Sequence, residues 1–332
     1  MKYLVTGAAG FIGSQFAASC NKLDIPVISV DKTSHFSSRP EHCYAEFGEI
    51  IDRDDLFCHL EDHKPKLAAI IHLGACTNTM ETNRQYLKAT NLEYSKNLWQ
   101  YAAKNNIPFV YASSAATYGD GAKGYDDDEA MLTSLQPLNP YGESKHLFDL
   151  WVLEQERLKK TPPRWAAFKF FNVYGFGERH KGAMASVVLH AFDQIITGGK
   201  VHLFRSHRPD IQDGHQKRDF IHVDDTVSVL HFALNKPLGR GIFNLGTGHA
   251  RSFLDLARAV FKELDIPENI EFIDTPADLR QRYQYFTKAT MIRLRAAGYM
   301  FDFINLEDGV SRYVRQLKKT TSCCIPPHER KF

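Results

Sequence analysis

The sequence predicts an α/β protein built on a doubly wound parallel sheet, followed by a smaller mixed α/β domain. Short apolar runs alternate with helical segments through the first half, and the first of these runs leads directly into glycines. After about residue 175 the pattern becomes mixed, with helical segments separated by short strand-like pieces. Apolar runs this short, separated by helices, are typical of buried parallel strands in βαβ units.

The elements follow in order along the chain. The predicted strands of the sheet are Tyr3–Val5, Val27–Val30, Ala68–Leu73, Phe109–Ala112 and Ala166–Phe171. Later helices are predicted near 183–197, 224–235 and 252–264. We expect a first domain over residues 1–175 and a second over 176–318, with some exchange of chain between them. Residues 319–332 contain two prolines and several charges without periodicity, which predicts a flexible tail.

The composition excludes several classes of function. Hydrophobic residues make up 43% and charged residues 24% of the 332 residues, an ordinary globular balance. Lys and Arg number 41 against 39 Asp and Glu, so the net charge of +2 gives no electrostatic reason to bind nucleic acid. No apolar run approaches the roughly 20 residues of a membrane span. We therefore expect a cytoplasmic protein with neither nucleic-acid nor membrane partners.

A glycine-rich turn follows the first predicted strand. Gly7, Gly10 and Gly13 form a G-x-x-G-x-x-G pattern that opens a helix. Glycines permit a tight turn there and let backbone N–H groups at the helix N-terminus approach a pyrophosphate. The first domain is therefore predicted to be a Rossmann domain that binds NAD or NADP.

The choice between these two cofactors stays open. Asp31 ends the second predicted strand, where an acidic residue favours a free ribose 2′-hydroxyl and hence NAD. Lys32 follows immediately, and Arg39 and Arg53 come further on. Cations at these positions suit a 2′-phosphate, which predicts NADP as the first choice and leaves NAD possible.

A candidate catalytic centre follows the strand at Phe109–Ala112. Ser114 stands at the end of that strand, and Tyr141 and Lys145 follow on a predicted helix. Residues four apart share one helix face, so the lysine ammonium can lower the tyrosine pKa toward neutral pH. The phenolate can then take a proton from a substrate hydroxyl that Ser114 also binds. The pattern predicts proton transfer coupled to hydride transfer.

Metal binding is not expected from the sequence. The six cysteines are scattered without the spacing of metal ligands, and we expect them to be reduced. The three histidines between His202 and His215 also lack regular spacing. The adjacent cysteines Cys323 and Cys324 raise the idea of a thiol switch, but we favour an incidental position in the tail.

These motifs together resemble the extended short-chain dehydrogenases/reductases that act on nucleotide sugars. Dehydratases of that superfamily carry an acidic pair just after the active-site Ser/Thr, where this chain has Ala115 and Ala116. The resemblance narrows to the ADP-L-glycero-D-manno-heptose 6-epimerases over residues 1 to about 318. The segments that carry it are HLGACT (72–77), YASSAATYG (111–119), FFNVYG (170–175), HKGAMASV (180–187), FNLGTG (243–248), RYQYFT (282–287) and LRAAGY (294–299).

The resemblance implies a reaction and a role for a second lysine. Members of this family oxidise C6 of the heptose to a ketone, turn the ketone in the site and return the hydride to the opposite face, in the biosynthesis of the lipopolysaccharide inner core. Two geometries of the C6 oxygen require a second proton donor and acceptor besides Tyr141. Lys181 matches the family position with this role. The resemblance also implies a homo-oligomer, pentameric in the family.

The resemblance also assigns binding residues. Those near the cofactor are Phe11, Ile12, Asp31, Lys32, Leu73, Gly74, Ala75, Cys76, Thr77, Asn91, Lys145, Val173 and Lys181. Those near the ADP-sugar are Ser114, Asn172, Ala183, His190, Phe204, Arg205, Ser206, His207, Arg218 and Tyr283. The segment between Phe204 and Arg218 is longer than is usual in the family, so the match of residues 205–207 stays open.

Two other functions remain as alternatives. A UDP-hexose 4-epimerase shares the superfamily motifs but lacks the lysine of the HKG segment. A redox-sensing protein that keeps the dinucleotide fold without turnover has no need of Ser114, Tyr141 and Lys145, which this chain retains.

Overall fold

The computed structural model describes residues 1–236, 238–280 and 283–324. In chain order, the strands are β1 (Lys2–Thr6), β2 (Val27–Asp31), β3 (Glu49–Asp52), β4 (Leu67–His72), β5 (Phe109–Ser114), β6 (Trp165–Phe170), β7 (Asn172–Tyr174), β8 (Val201–Phe204), β9 (Lys217–His222), β10 (Gly241–Leu245), β11 (Ala250–Ser252) and β12 (Ile270–Ile273). The α-helices are α1 (Phe11–Lys22), α2 (Thr33–Ser38), α3 (Leu56–His63), α4 (Arg84–Leu87), α5 (Tyr94–Lys104), α6 (Pro140–Arg157), α7 (Val187–Gly198), α8 (Val223–Asn235), α9 (Phe253–Leu264), α10 (Ala277–Arg280), α11 (Ile292–Ala296) and α12 (Leu306–Cys324).

Within the described residues, the largest element is a seven-stranded sheet in the order β10-β6-β5-β4-β1-β2-β3. Its pairings are all parallel. Leu4 packs into one hydrophobic cluster and Val5 into another, because successive side chains of a strand point to opposite faces. Burial on both faces explains the short, continuous apolar runs. The predicted doubly wound parallel sheet is confirmed.

The strand order reverses between β1 and β4, at the middle of the sheet. In doubly wound sheets, ligands bind in the crevice outside the carboxyl ends of the strands at such a reversal. The glycine-rich turn follows β1, and the segment Leu73–Thr77 follows β4. The fold therefore brings two of the predicted cofactor segments to one edge.

Part of the later chain completes the first sheet. β10 pairs with the outer side of β6. α8 packs on α1, where the ring of His231 stacks on Phe16 at 4.8 Å and bonds the Ser19 hydroxyl at 2.9 Å. Chain from beyond residue 175 thus contributes β10 to the first sheet and α8 to the helices that flank it. The expected exchange of chain between two domains stays a prediction. The boundary at residue 175 itself stays a prediction.

The rest of the second half forms two small sheets, β11-β9-β7 and β12-β8. Helices α7, α9 and α12 pack on them through a third hydrophobic cluster that includes Phe192, Phe261 and Tyr313. In the part of the chain that the structure describes, no helix has the length and apolarity to cross a bilayer.

Two boundaries differ from the predictions. α7 begins at Val187, later than the predicted 183, because Arg179–Met184 form a 3-10 turn in which Gly182 has a φ of +53°. Ser186 caps the helix through a bond from the Leu189 backbone N. α12 runs on to Cys324, into the predicted tail. The remainder of that tail lies outside the described residues.

Candidate active site

The glycine-rich turn lies against the segment that follows β4. Gly7 has a φ of +68°, and a Cβ built on it would lie 2.6 Å from the backbone N of Gly74. A Cβ on Gly13 would overlap the carbonyl oxygen of Gly7. Glycine is therefore required at both positions. Gly10 is the N-cap of α1, so the first turn of this helix offers free backbone N–H groups to a pyrophosphate.

The ribose end of the predicted cofactor site lies beside the same turn. The Asp31 carboxylate accepts a bond from the backbone N of Ala9 at 3.2 Å. The Arg39 guanidinium donates to the carbonyl oxygen of Ala9. The guanidinium of Arg53 instead pairs with Asp54 at 3.3 Å. Of the two predicted arginines, Arg39 is the one that contacts the glycine-rich turn.

The segment after β4 forms a second wall of the site. The backbone N of Leu73 donates to the Thr6 carbonyl oxygen at 3.1 Å. The Asn91 amide accepts from the Cys76 backbone N at 2.8 Å and donates to its carbonyl oxygen at 3.0 Å. Asn91 is 0% exposed, so its amide holds the Cys76 loop in place. The π-helix Lys88–Glu93, between α4 and α5, carries Asn91.

Helix α6 presents the predicted tyrosine and lysine. Asn139 caps the helix by accepting a bond from the Gly142 backbone N at 2.8 Å. Pro140 occupies the first turn, where its missing N–H is not needed. The side chains of Tyr141 and Lys145 are buried on the face that packs toward β5. The start of the helix is thus set by local sequence.

Tyr141 and Ser114 are brought together, as predicted, but the expected pKa shift is in the opposite direction. Burial raises the pKa of Tyr141, and its hydrogen bond with Ser114 only partly opposes that rise. The Lys145 ammonium donates to the Ala112 carbonyl oxygen at 2.9 Å. Burial lowers the pKa of Lys145 to about 8. The predicted lowering of the tyrosine pKa is therefore wrong in this structure, because desolvation of the hydroxyl outweighs its hydrogen bond with Ser114.

A buried ionic network lies beneath these residues. The Lys169 ammonium pairs with the Asp149 carboxylate at 2.6 Å, and both side chains are 0% exposed. Asp149 also accepts from the hydroxyls of Ser113 (2.7 Å) and Tyr111 (3.0 Å). Lys169 donates a second bond to the Thr117 hydroxyl at 2.7 Å. The network ties α6 to β5 and β6 directly behind the candidate catalytic residues.

Lys181 lies on the 3-10 turn that precedes α7. Its ammonium is 5.4 Å from the centre of the Phe11 ring, at the start of α1, and 3.8 Å from the Glu178 carboxylate. Burial lowers the pKa of Lys181, and Glu178 opposes that shift. The side chain is 26% exposed. The structure therefore brings Lys181 to the glycine-rich turn with a partly desolvated ammonium.

Several predicted substrate residues form an aromatic and cationic cluster. The Arg218 guanidinium lies 5.5 Å from the ring centres of both Tyr283 and Phe253. Arg218 is 7% exposed, and burial lowers its pKa. The Tyr283 ring lies edge-on to the rings of Phe204 (6.3 Å) and His207 (6.1 Å). A stacked guanidinium with a planar fork suits a nucleotide base or a diphosphate.

Some of the remaining predicted positions are exposed to solvent. Arg205 is 56% exposed and pairs with Asp213 (3.9 Å) and Asp274 (3.5 Å). The backbone N of Ser206 donates to Asp213 at 2.7 Å. Lys32 is exposed on the surface. Further predicted positions lie along β7, the 3-10 turn and α7, namely Asn172, Val173, Ala183 and His190.

The sequence reasoning missed a group of side chains around the Lys181 turn. Glu41 and His42, on a short 3-10 turn after α2, contact His180. Tyr44 and Gln15 contact the segment just before it. These contacts join residues more than a hundred positions apart, so no local sequence pattern predicts them. Among the described residues, Glu41, His42 and His180 are also the side chains grouped closely enough to hold a metal ion.

Comparison with protein families identifies the family to which the chain belongs. The model of the NAD-dependent epimerase/dehydratase family matches residues 3–246. The chain belongs to this family. Within it, the chain is 45% identical over 318 residues to an ADP-L-glycero-D-manno-heptose-6-epimerase of Nitratidesulfovibrio vulgaris, covering 95% of this chain and 97% of the relative. A protein of the same name from Fusobacterium nucleatum is 42% identical, with coverages of 94% and 96%. The predicted membership of the heptose-epimerase family is confirmed.

Solved structures of the epimerase/dehydratase family share the fold. The ADP-L-glycero-D-manno-heptose-6-epimerase of Helicobacter pylori superposes with a TM-score of 0.78 at 24% identity, covering 96% of each chain. A UDP-glucose 4-epimerase of Thermus thermophilus, solved in complex with NAD, gives a TM-score of 0.75 at 21% identity, covering 96% of this chain and 99% of that one. These likenesses support the fold, whereas the specific relationship rests on the sequence relatives.

Proposed function

We propose that this protein interconverts ADP-D-glycero-D-manno-heptose and ADP-L-glycero-D-manno-heptose by inverting C6 of the heptose. The observation that carries the proposal is Lys181, a partly desolvated ammonium at the glycine-rich turn, within a chain 45% identical to a heptose 6-epimerase. Inversion needs proton transfer in two substrate geometries, and the chain supplies two candidate groups, Tyr141 and Lys181.

The cofactor is a nicotinamide dinucleotide, and the residues at the switch point fit one. The required glycines at Gly7 and Gly13, the free helix N-terminus and the carboxylate of Asp31 match the pyrophosphate and ribose of such a molecule. When bound, such a cofactor would supply the acceptor and donor of the hydride at C6. Arg39 at the ribose end favours NADP over NAD, because its guanidinium suits a 2′-phosphate.

Tyr141 and Ser114 serve one half of the reaction. The phenolate form of Tyr141 takes the proton of the C6 hydroxyl as the C6–H bond breaks and the hydride leaves for the cofactor, and Ser114 binds the same oxygen. Lys145 donates to the Ala112 carbonyl oxygen one helical turn from Tyr141 and would contact the bound cofactor. Because burial raises the pKa of Tyr141, this step requires bound substrate and cofactor to favour the phenolate before the hydride leaves.

Lys181 serves the other half of the reaction. After the 6-keto sugar turns in the site, the ammonium donates a proton to the ketone oxygen as hydride returns to the opposite face. Desolvation lowers the lysine pKa and so eases this transfer. The cluster of Arg218, Tyr283 and Phe204 holds the ADP group and keeps it in place while the heptose turns.

The first experiment tests the reaction itself. Purified protein is incubated with ADP-D-glycero-D-manno-heptose without added cofactor, and the two C6 epimers are separated by chromatography over time. We expect equilibration of the epimers, because a retained dinucleotide is regenerated in each cycle. Absence of conversion, even after addition of NADP or NAD, would direct attention to UDP-hexoses as substrates.

The second experiment tests the role of Lys181. We expect Lys181→Met to lower the epimerisation rate by roughly a hundredfold or more, the usual range for loss of an acid–base group. Lys104→Met is the matched control, because Lys104 is an exposed lysine at the end of α5 and belongs to none of the predicted binding or catalytic positions. Near wild-type epimerisation by Lys181→Met would refute the role proposed for this residue.

A further inference from the structure

The turn that carries Lys181 is held by a carboxylate from the cofactor-binding half of the chain. One oxygen of Glu41 accepts bonds from the His180 backbone N at 2.9 Å and from His180 Nδ1 at 3.0 Å. Burial acts to raise the pKa of Glu41, but the hydrogen bonds from His180 outweigh it and the pKa is lowered. The carboxylate is therefore bound in its charged form to the residue next to Lys181.

Neighbouring side chains hold the backbone just before that turn. His42, 2% exposed, donates from Nε2 to the Gly177 carbonyl oxygen at 2.9 Å. Gln15 donates to the Phe176 carbonyl oxygen at 2.7 Å. Gly177 has a φ of +99°, and a Cβ on it would lie 2.6 Å from the Tyr44 hydroxyl. Residues 176–180 are thus held in place by hydrogen bonds from side chains of the cofactor-binding half of the chain.

The same segment reaches the cofactor site at its other end. Arg39 contacts the glycine-rich turn through the carbonyl oxygen of Ala9. Glu41 follows two positions later, on the 3-10 turn Pro40–His42. A single short segment therefore touches both the ribose end of the cofactor site and the Lys181 turn.

We propose that Glu41 is a positioning residue for Lys181, through the bonds that its carboxylate makes to His180. The inference rests on the proposed function of Lys181 and adds the contact that holds this lysine in position. Misplacement of a reacting group by about 1 Å can slow a reaction on the order of a hundredfold, so a carboxylate one residue away can control the rate without touching the substrate.

A metal site is the competing explanation for the same three side chains. Two histidines and one carboxylate are a known ligand set for divalent metals. However, His42 Nε2 and His180 Nδ1 already bond protein oxygens, and the Lys181 ammonium belongs to the adjacent residue. The contacts therefore favour a tether, in which Glu41 holds His180 by hydrogen bonds, over a metal site.

The test compares the two half-reactions in the holoenzyme. Each C6 epimer of ADP-glycero-manno-heptose is mixed with an excess of enzyme, and the absorbance of the reduced nicotinamide is followed over a single turnover. Lys181→Met identifies the epimer whose oxidation depends on Lys181. We expect Glu41→Ala to slow that same epimer about tenfold to a hundredfold, while the other epimer stays within about twofold. Glu41→Gln keeps one acceptor for the His180 backbone N and should lie between wild type and Glu41→Ala.

Glu46→Gln is the matched control, because Glu46 is exposed on the same segment and its hydrogen bonds in the described chain come from its backbone. Equal slowing of both epimers by Glu41→Ala, or no slowing, would overturn the inference. If Lys181→Met itself spares both half-reactions, the proposed function of Lys181 fails instead. If EDTA slows the wild type as Glu41→Ala does and Zn²⁺ restores it, the group is a metal site and the tether is refuted.

Discussion

Three lysines in and behind the candidate site differ in what their ammonium groups contact. Lys145 donates to a backbone carbonyl, and burial lowers its pKa to about 8. Lys169 is fully buried and paired with Asp149. Lys181 is partly exposed and lies 3.8 Å from a carboxylate, beside an aromatic ring. At the scale of the residue, the degree of desolvation and the contacting groups therefore distinguish Lys181, the candidate acid–base group, from Lys169, a structural cation.

Arg39 supports a prediction about cofactor choice. We expect Arg39→Ala to weaken NADP binding about tenfold to a hundredfold relative to NAD, because a charge-assisted bond to a phosphate contributes roughly 1.5–3 kcal/mol. Titration of cofactor-stripped protein with each dinucleotide, followed by fluorescence, measures the ratio. Arg53→Ala is the control, since its guanidinium pairs with Asp54. Equal weakening of NAD and NADP by Arg39→Ala would contradict a role at the 2′-phosphate.

His72 supports a prediction about acid stability. Burial between Thr6 and Ser95 lowers the pKa of His72 to about 3. A depressed folded-state pKa means that stability is complete above the ordinary value near 6.5 and is lost as the pH falls toward 3. We expect the free energy of unfolding, measured in urea, to fall between pH 7 and pH 4 by about 3 kcal/mol more in the wild type than in His72→Gln. Parallel pH curves for the two proteins would show that His72 is not the group responsible.

At the scale of the element, α6 organises the site. Tyr141, Lys145 and Asp149 are spaced four residues apart, so they share one face of the helix, and all three are buried. The cap at Asn139 sets where the helix starts, and the ion pair with Lys169 ties its middle to β6. The candidate catalytic residue Tyr141 is therefore held by a helix that a buried network fixes to the sheet.

The ion pair between Asp149 and Lys169 can be tested by stability. Asp149→Asn should destabilise the fold by about 3–5 kcal/mol, because it leaves the Lys169 ammonium buried without a countercharge. Asp149→Leu with Lys169→Met removes both charges and should recover part of this loss. Chemical unfolding of the three proteins compares them. A single variant as stable as the wild type would show that the pair does not hold α6.

At the scale of the whole molecule, the first sheet depends on chain from beyond residue 175. β10 covers the edge of β6, and α8 packs on α1 through Phe16 and Ser19. Without these elements, β6 becomes an exposed edge strand and the buried face of α1 meets water. The chain that completes the first sheet therefore extends beyond the predicted boundary at residue 175.

This dependence predicts the behaviour of a fragment. Residues 1–175 expressed alone should lack a cooperative urea transition and near-ultraviolet circular dichroism, since their sheet is unfinished. Co-expression with residues 176–332 should restore both. A fragment 1–175 that unfolds cooperatively on its own would show that β10 and α8 are dispensable to the first sheet.

Some parts of the site were predictable because their signals are local. A turn that needs glycine follows β1, and spacings of four along α6 bring Tyr141 and Lys145 together. The direction of the Tyr141 pKa was not predictable, because it depends on how much water the folded chain removes. The same holds for Glu41 and His42, whose partners lie more than a hundred residues away.

The sequence by itself determined the parallel sheet, the dinucleotide turn, the Ser114, Tyr141 and Lys145 pattern, and the membership of the heptose-epimerase family. Each of these depends on apolar periodicity, on glycine geometry or on short motifs, which are properties of neighbouring residues. Tertiary structure alone decided that β10 completes the first sheet, that burial raises the pKa of Tyr141, and that Glu41 holds the Lys181 turn. Those outcomes depend on desolvation and on contacts between distant segments, which arise only when the chain folds.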